Sequence, residues 1–155
     1  MSYNYNINFY VMQQPELKIP FVIVNFKTYL QSTGESAILL AQIMSAVSEE
    51  TGVTMVPAVQ LVDLRSVCES VDLPVMAQHV DGIDPGSNTG SVLAEAVLEA
   101  GAIGSLVNHS ECRVGDSGVE SSIAACKRVG LISIVCAETS DEAMEFDKFN
   151  PDFLA

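Results

Sequence analysis

The sequence predicts an α/β protein built on a parallel sheet. Short apolar runs rich in β-branched residues alternate with segments of helical periodicity from about Ile19 to Ala155. The apolar runs are continuous, as in strands buried on both faces. Polar side chains stand at the C-terminal ends of these runs: Asn25 and Lys27, Gln60, Gln78 and His79, then Asn108, His109 and Glu111. Two architectures fit this alternation, a doubly wound open sheet and a (β/α)8 barrel. A ring of polar groups drawn from many strand ends is how a barrel builds its site. A doubly wound sheet favours one crevice, often beside a glycine-rich first turn. Asn25-Phe26-Lys27 contains no glycine. The barrel is the better fit, although spacing alone leaves the two close.

The first expected strand is Pro20-Phe21-Val22-Ile23-Val24. Ser32-Thr33-Gly34-Glu35 reads as a capping box opening a helix. Its apolar positions are Ala37, Leu40, Ala41, Met44 and Val47, and Gly52 ends it. A second strand runs from Val53 to Ala58, followed by a weaker helix over Leu61 to Ser70. The third strand is Pro74 to Val80. A polar, glycine-rich loop from Asp81 to Gly90 leads to a helix carrying Leu93, Ala96, Val97 and Ala100. Gly104 to Asn108 forms the fourth strand. Ser117-Gly118-Val119-Glu120 reads as a second capping box, for a helix that stops at Gly130. Leu131 to Cys136 is the fifth strand. Thr139-Ser140-Asp141-Glu142 caps a short helix with Ala143 and Phe146. Asn150-Pro151-Asp152 is a turn, and Phe153-Leu154-Ala155 begins a sixth strand. Residues 1–18 are polar and rich in Asn, Tyr and Gln. They read as an extension, flexible or adding an edge strand through Ile7-Asn8-Phe9-Tyr10-Val11. The domain itself spans residues 19–155.

Composition narrows the function. The chain has 155 residues, 48% hydrophobic and 17% charged, which suits one domain with a sizeable core. A net charge of −13 argues against nucleic acid and against an anionic membrane surface. It leaves room for a small anionic ligand at a locally cationic site. No apolar run approaches the roughly 18 residues of a membrane span, and no signal peptide opens the chain. Cys68, Cys112, Cys126 and Cys136 form no C-x-x-C pair, which suggests reduced thiols and a cytoplasmic protein.

The densest polar cluster is Asn108-His109-Ser110-Glu111-Cys112-Arg113, directly after the fourth strand. Lys27, directly after the first, suits an anion or a developing oxyanion; a plain surface lysine is the alternative. His109 is expected at a helix N-terminus, whose amides favour the neutral ring; a structural capping role competes. Glu111 is a proton shuttle, a partner for Lys27, or simply an acid in a first helical turn. Asn25 and Ser110 are ligand-binding candidates or local caps. His79 and Asp81 lack a third spaced metal ligand, so no metal is expected. Cys112 beside His109 reads as a spectator thiol rather than a nucleophile.

These residues resemble the triosephosphate isomerase family, its archaeal branch in particular. The matching segments are Val24-Asn25-Phe26-Lys27-Thr28-Tyr29, Ala77-Gln78-His79-Val80-Asp81, Gly86-Ser87-Asn88-Thr89-Gly90, Glu99-Ala100-Gly101-Ala102, Val107-Asn108-His109-Ser110-Glu111 and Ile134-Val135-Cys136. The resemblance implies a (β/α)8 barrel interconverting dihydroxyacetone phosphate and glyceraldehyde 3-phosphate in glycolysis and gluconeogenesis, without a cofactor. The family is itself a usual illustration of pKa tuning, so its roles come with the resemblance. Lys27 would bind substrate and stabilise an enediolate, and Asn25 and Ser110 would help bind it. His109 would polarise the carbonyl, and Glu111 would orient the site. Thr89 lies on the loop that reaches a neighbouring subunit in this family, which implies a homo-oligomer. The family's general base is a glutamate after the sixth strand, within a Glu-Pro-Pro-Glu type segment that these residues do not contain. The expectation is an incomplete barrel, truncated after about five and a half of eight strand–helix units. It would be inactive alone and would self-associate or need a complementing chain. A non-catalytic phosphate-binding or interaction protein derived from this barrel is the alternative.

Overall fold

The computed structural model describes residues 16–155, so the expected edge strand through Ile7 to Val11 lies outside the described residues. Six strands form one parallel sheet: β1 (Phe21–Asn25), β2 (Thr54–Val59), β3 (Met76–Ala77), β4 (Gly104–Val107), β5 (Ile132–Val135) and β6 (Phe153–Leu154). Their order in space is their order in sequence. A doubly wound sheet reverses order at a switch point. This one never reverses, and that decides for the barrel class. Each β-to-β crossover carries a helix: α1 (Glu35–Thr51), α2 (Leu61–Cys68), α3 (Ala94–Glu99), α4 (Gly115–Val129) and α5 (Ser140–Asp147).

The two faces of the sheet have separate cores. Successive strand residues point to opposite faces. Val56, Ala58, Met76, Leu106 and Ile134 therefore meet on the inner face, with Phe21, Ile23, Ile132 and Phe153 packed against them. The rings of Phe21 on β1 and Phe153 on β6 meet edge to face at 5.2 Å. The sheet thus curls far enough for its first and last strands to touch through side chains, an incomplete barrel. The outer face packs on the helices through Val59, Val75, Ala77, Val107 and Val135, against Ala37, Ala41, Leu64, Val97, Ile123 and Phe146. Among the described residues, β1 and β6 have no strand on their far edges.

Several local expectations need correction. No capping box forms at Ser32: α1 starts at Glu35 behind Gly34, whose φ is 61°, with no side-chain cap. The Ser32 hydroxyl donates instead to the Phe26 and Tyr29 carbonyls, at 2.6 and 3.1 Å, pinning the turn after β1. The box at Ser117 fails as well, because α4 begins two residues earlier at Gly115. Thr139 does cap α5, accepting from the Glu142 amide at 3.1 Å. The Glu142 carboxylate turns away to the Glu138 amide. β3 shrinks to Met76–Ala77 because the chain beyond it leaves the sheet to build the site. Val47 and Leu61, expected on buried faces, are 38% and 41% exposed.

Candidate active site

Lys27 sits two residues beyond β1 in a left-handed conformation, φ 50°. A non-glycine residue there carries strain of roughly 1–2 kcal/mol, so its surroundings must hold it. Asn25 Oδ1 accepts from the Lys27 amide at 2.9 Å, and Gln78 Nε2 donates to the Lys27 carbonyl at 3.0 Å. Gln78 also donates to the Ala58 carbonyl at 3.1 Å, tying the ends of β1, β2 and β3 together. Asn25 is thus a local cap for Lys27. Gln78 is a positioning residue whose location was visible in sequence but whose role was not.

Lys27 Nζ reaches Glu111 Oε1 at 3.0 Å across the mouth of the sheet. Hydrogen bonding to Glu111 raises the Lys27 pKa above 10.5, and the same bond holds the Glu111 carboxyl below 4.5. Both groups therefore stay charged over the neutral range.

Residues 108–114 form a loop that precedes α4. His109 lies six residues before Gly115, so it does not stand at the helix N-terminus as expected. A local amide takes that place: Glu111 N–H donates to His109 Nδ1 at 3.2 Å. Glu111 Oε2 is 3.6 Å from the same nitrogen, too long for a hydrogen bond. The amide contact therefore makes Nδ1 an acceptor, which in the neutral tautomer leaves the N–H on Nε2. The Cys112 amide donates to the His109 carbonyl at 2.7 Å and closes the turn.

Asn108 anchors this loop from below. It is 2% exposed with φ 58°. Its Oδ1 accepts from the Val114 amide at 3.1 Å, and its Nδ2 donates to the Cys136 carbonyl at 3.2 Å. Arg113 spans to the next strand end, donating to Glu138 at 2.8 Å and to Glu142. Sequence reading noted this guanidinium without assigning it a partner, because both partners lie at least 25 residues away.

The structure therefore brings Asn25, Lys27, His109 and Glu111 to one rim. The Ser110 side chain is exposed on the same loop. Thr89 is exposed on the segment after β3. Among the described residues no three His, Cys, Asp or Glu side chains are grouped to hold a metal. A surface depression of about 730 Å³ lies between α1 and the end of α2 and includes none of the site residues.

Known proteins resemble this chain in sequence and in fold. A family model described as "Triosephosphate isomerase" matches residues 20–151. The triosephosphate isomerase of Methanothermobacter thermautotrophicus is 45% identical over 146 residues, covering 94% of this chain and 64% of the relative. That of Methanothermus fervidus is 47% identical over 136 residues, covering 88% and 61%. The crystal structure of triosephosphate isomerase from Bartonella henselae shares the fold with a TM-score of 0.70 at 22% identity, over 86% of this chain and 61% of that one. The chain thus spans less than two thirds of the length of these relatives. With most of its length matched by the family model, the chain belongs to the triosephosphate isomerase family.

Proposed function

We propose that this chain carries the electrophilic and charge-stabilising part of a triosephosphate isomerase site. Its substrates are dihydroxyacetone phosphate and glyceraldehyde 3-phosphate, interconverted in the cytoplasm in glycolysis and gluconeogenesis. The observation that supports this best is the convergence of Lys27, Glu111 and His109 from two strand ends, with His109 Nδ1 engaged by the Glu111 amide. Isomerisation passes through an enediolate, so the site must meet negative charge as it develops on oxygen. His109 Nε2–H donates to the substrate carbonyl, and the Lys27 ammonium offsets the charge that builds there. Glu111 keeps Lys27 aimed until substrate enters. Asn25 holds the Lys27 backbone, and Ser110 offers an exposed hydroxyl to the ligand. Thr89 serves an interface between copies.

The same reading holds that the 155 residues alone do not turn over. Proton abstraction needs a base within hydrogen-bond reach of the substrate carbon. Glu111 is engaged by Lys27, and Glu138 and Glu142 by Arg113. A coupled assay on the purified chain with dihydroxyacetone phosphate is expected to give only the buffer rate. Mixing with a chain covering the C-terminal third of the Methanothermobacter relative is expected to restore turnover, and Lys27→Met to abolish it again. Enzyme-like turnover by the 155 residues alone contradicts the proposal. No helix of the described residues is long and apolar enough to cross a membrane.

A further inference from the structure

A second constellation lies on the same rim, separate from the Lys27–Glu111–His109 group. His79 follows β3, and its Nε2 is 3.1 Å from Asp81 Oδ1. Its other ring nitrogen, Nδ1, is 3.9 Å from Cys112 Sγ, within the longer reach of a hydrogen bond to sulfur. Asp81 is itself fixed: its Oδ2 accepts from the Val92 amide at 2.7 Å, and its own amide donates to the Val92 carbonyl at 2.9 Å. Burial opposes ionisation of Asp81, but the Val92 amide and His79 outweigh it and hold the carboxyl below its ordinary value. The side chain of His79 is 21% exposed, while Cys112 is open to solvent. From sequence Cys112 lies three residues from His109 and reads as a spectator thiol. The fold pairs it with His79, 33 residues away.

A nucleophile beside a base, with the base oriented by a third group, is the general signature of an activated side chain. The carboxylate accepts Nε2–H, so the lone pair of the neutral ring sits on Nδ1 and faces the thiol. Of the four free cysteines, Cys126 is buried and Cys68 and Cys136 are half-buried. Burial pushes the Cys68 and Cys126 thiols up to about 12. They are inert by comparison.

We propose that Cys112 is a thiol modification site, with His79 as its base and Asp81 as the group that orients His79, and that its co-reactant is a low-molecular-weight disulfide. In the step, Cys112 Sγ gives its proton to His79 Nδ1 and attacks one sulfur of the disulfide. The Cys112–sulfur bond forms as the bond between the two disulfide sulfurs breaks. The departing thiolate takes the proton from His79, leaving a mixed disulfide and a free thiol. The adduct lies on the loop that carries Glu111 and His109, next to the amide that closes that loop on the His109 carbonyl. Modification therefore has a direct route to the site.

The test is the rate of reaction of the intact 155-residue protein with an aromatic disulfide, 5,5′-dithiobis(2-nitrobenzoate), at one fixed pH. Peptide mapping locates the first adduct. Cys112 is expected to react first, and about tenfold faster than in a free peptide of residues 108–116 under the same conditions. Cys112→Ser removes this phase. His79→Gln and Asp81→Asn each slow it toward the peptide rate, while circular dichroism reports that the fold is kept. A Cys112 rate equal to or below that of the peptide overturns the proposal, whatever the variants do. So does an unchanged rate in a folded His79→Gln protein.

Discussion

Lys27 and Glu111 lie 84 residues apart in sequence and meet at 3.0 Å. Each is delivered by a backbone shape that a helix or strand could not supply. Lys27 stands at φ 50° between an Asn25 cap and a Gln78 clamp. Glu111 belongs to a turn whose amides are spent on His109. Glu111 thereby stands between the Lys27 cation, at 3.0 Å, and the His109 ring, at 3.6 Å.

The pair makes stability depend on pH in two directions. Folding lowers the Glu111 pKa from 4.5, first through its bond to Lys27. Its contribution is therefore present above the unfolded carboxylate value and lost as pH falls through the lowered one. Folding raises the Lys27 pKa from 10.5, first through the same bond. That contribution is present below 10.5 and lost as pH climbs through the raised value. The stability gap between the unaltered chain and Glu111→Gln, from urea titrations, is expected to be flat at neutral pH and to shrink below 4.5. A gap that persists through the acid limb contradicts the pairing. Exposure of both side chains and screening by salt keep the effect small.

Asn108 is the residue on which the His109 loop hangs. In Asn108→Ala the Val114 amide and Cys136 carbonyl lose their partners, and the left-handed backbone loses the short polar side chain that tolerates it. Each unmet buried group costs about 1–3 kcal/mol, so a loss of about 3 kcal/mol is expected. Asn108→Gly relieves the backbone but not the hydrogen bonds, and should fall between alanine and the native residue. Chemical denaturation checks the order; alanine as stable as asparagine would contradict it.

The strand order was legible because burial on both faces leaves continuous apolar runs such as Phe21-Val22-Ile23-Val24, and helices with glycine stops separate them. Asn25, Lys27, His109 and Glu111 were legible as candidates because polar residues ending such runs have few other reasons to be there. Their partners were not. Gln78 reaches Lys27 across 51 residues, and His79 reaches Cys112 across 33. No local spacing encodes those meetings. The failed capping box at Ser32 shows the converse. Its Ser-x-x-Glu pattern is intact, but the hydroxyl finds the buried Phe26 carbonyl instead. His109 shows both effects, since a helix N-terminus was expected beside the ring and the amide that meets Nδ1 belongs to Glu111 instead.

Gly82 sets how closely the loop after β3 can approach α4. A β-carbon there would stand 2.1 Å from Ser121 Oγ and 2.4 Å from the Ser121 backbone carbon. The helix backbone cannot give way, so the loop must. Gly82→Ala is expected to cost about 1–3 kcal/mol as an overpacking change. It should also disturb the adjacent Asp81–His79 contact. Gly86→Ala, with its nearest atom at 3.9 Å, is the matched control and should stay within about 0.5 kcal/mol of the native chain. Equal effects at the two positions would refute the close approach.

Apolar surface left open on the first strand–helix unit predicts association of the 155-residue chain. Leu39, Ile43 and Val47 repeat every fourth residue along α1, so they form one stripe, and they are 59%, 53% and 38% exposed. Val22 on the outer face of β1 and Leu154 on β6 are exposed as well, beside sheet edges with no neighbour among the described residues. A net charge of −13 opposes contact between copies, so screening should favour it. Light scattering after size exclusion is expected to show a mass that rises with protein concentration and with salt. Leu39→Glu combined with Ile43→Lys should return the chain to a monomer at unchanged helical signal, because both side chains make few contacts within the fold. A compact monomer at every concentration and salt level would show that these faces are tolerated in water. The homo-oligomer or complementing chain proposed for this protein would then lose its physical support.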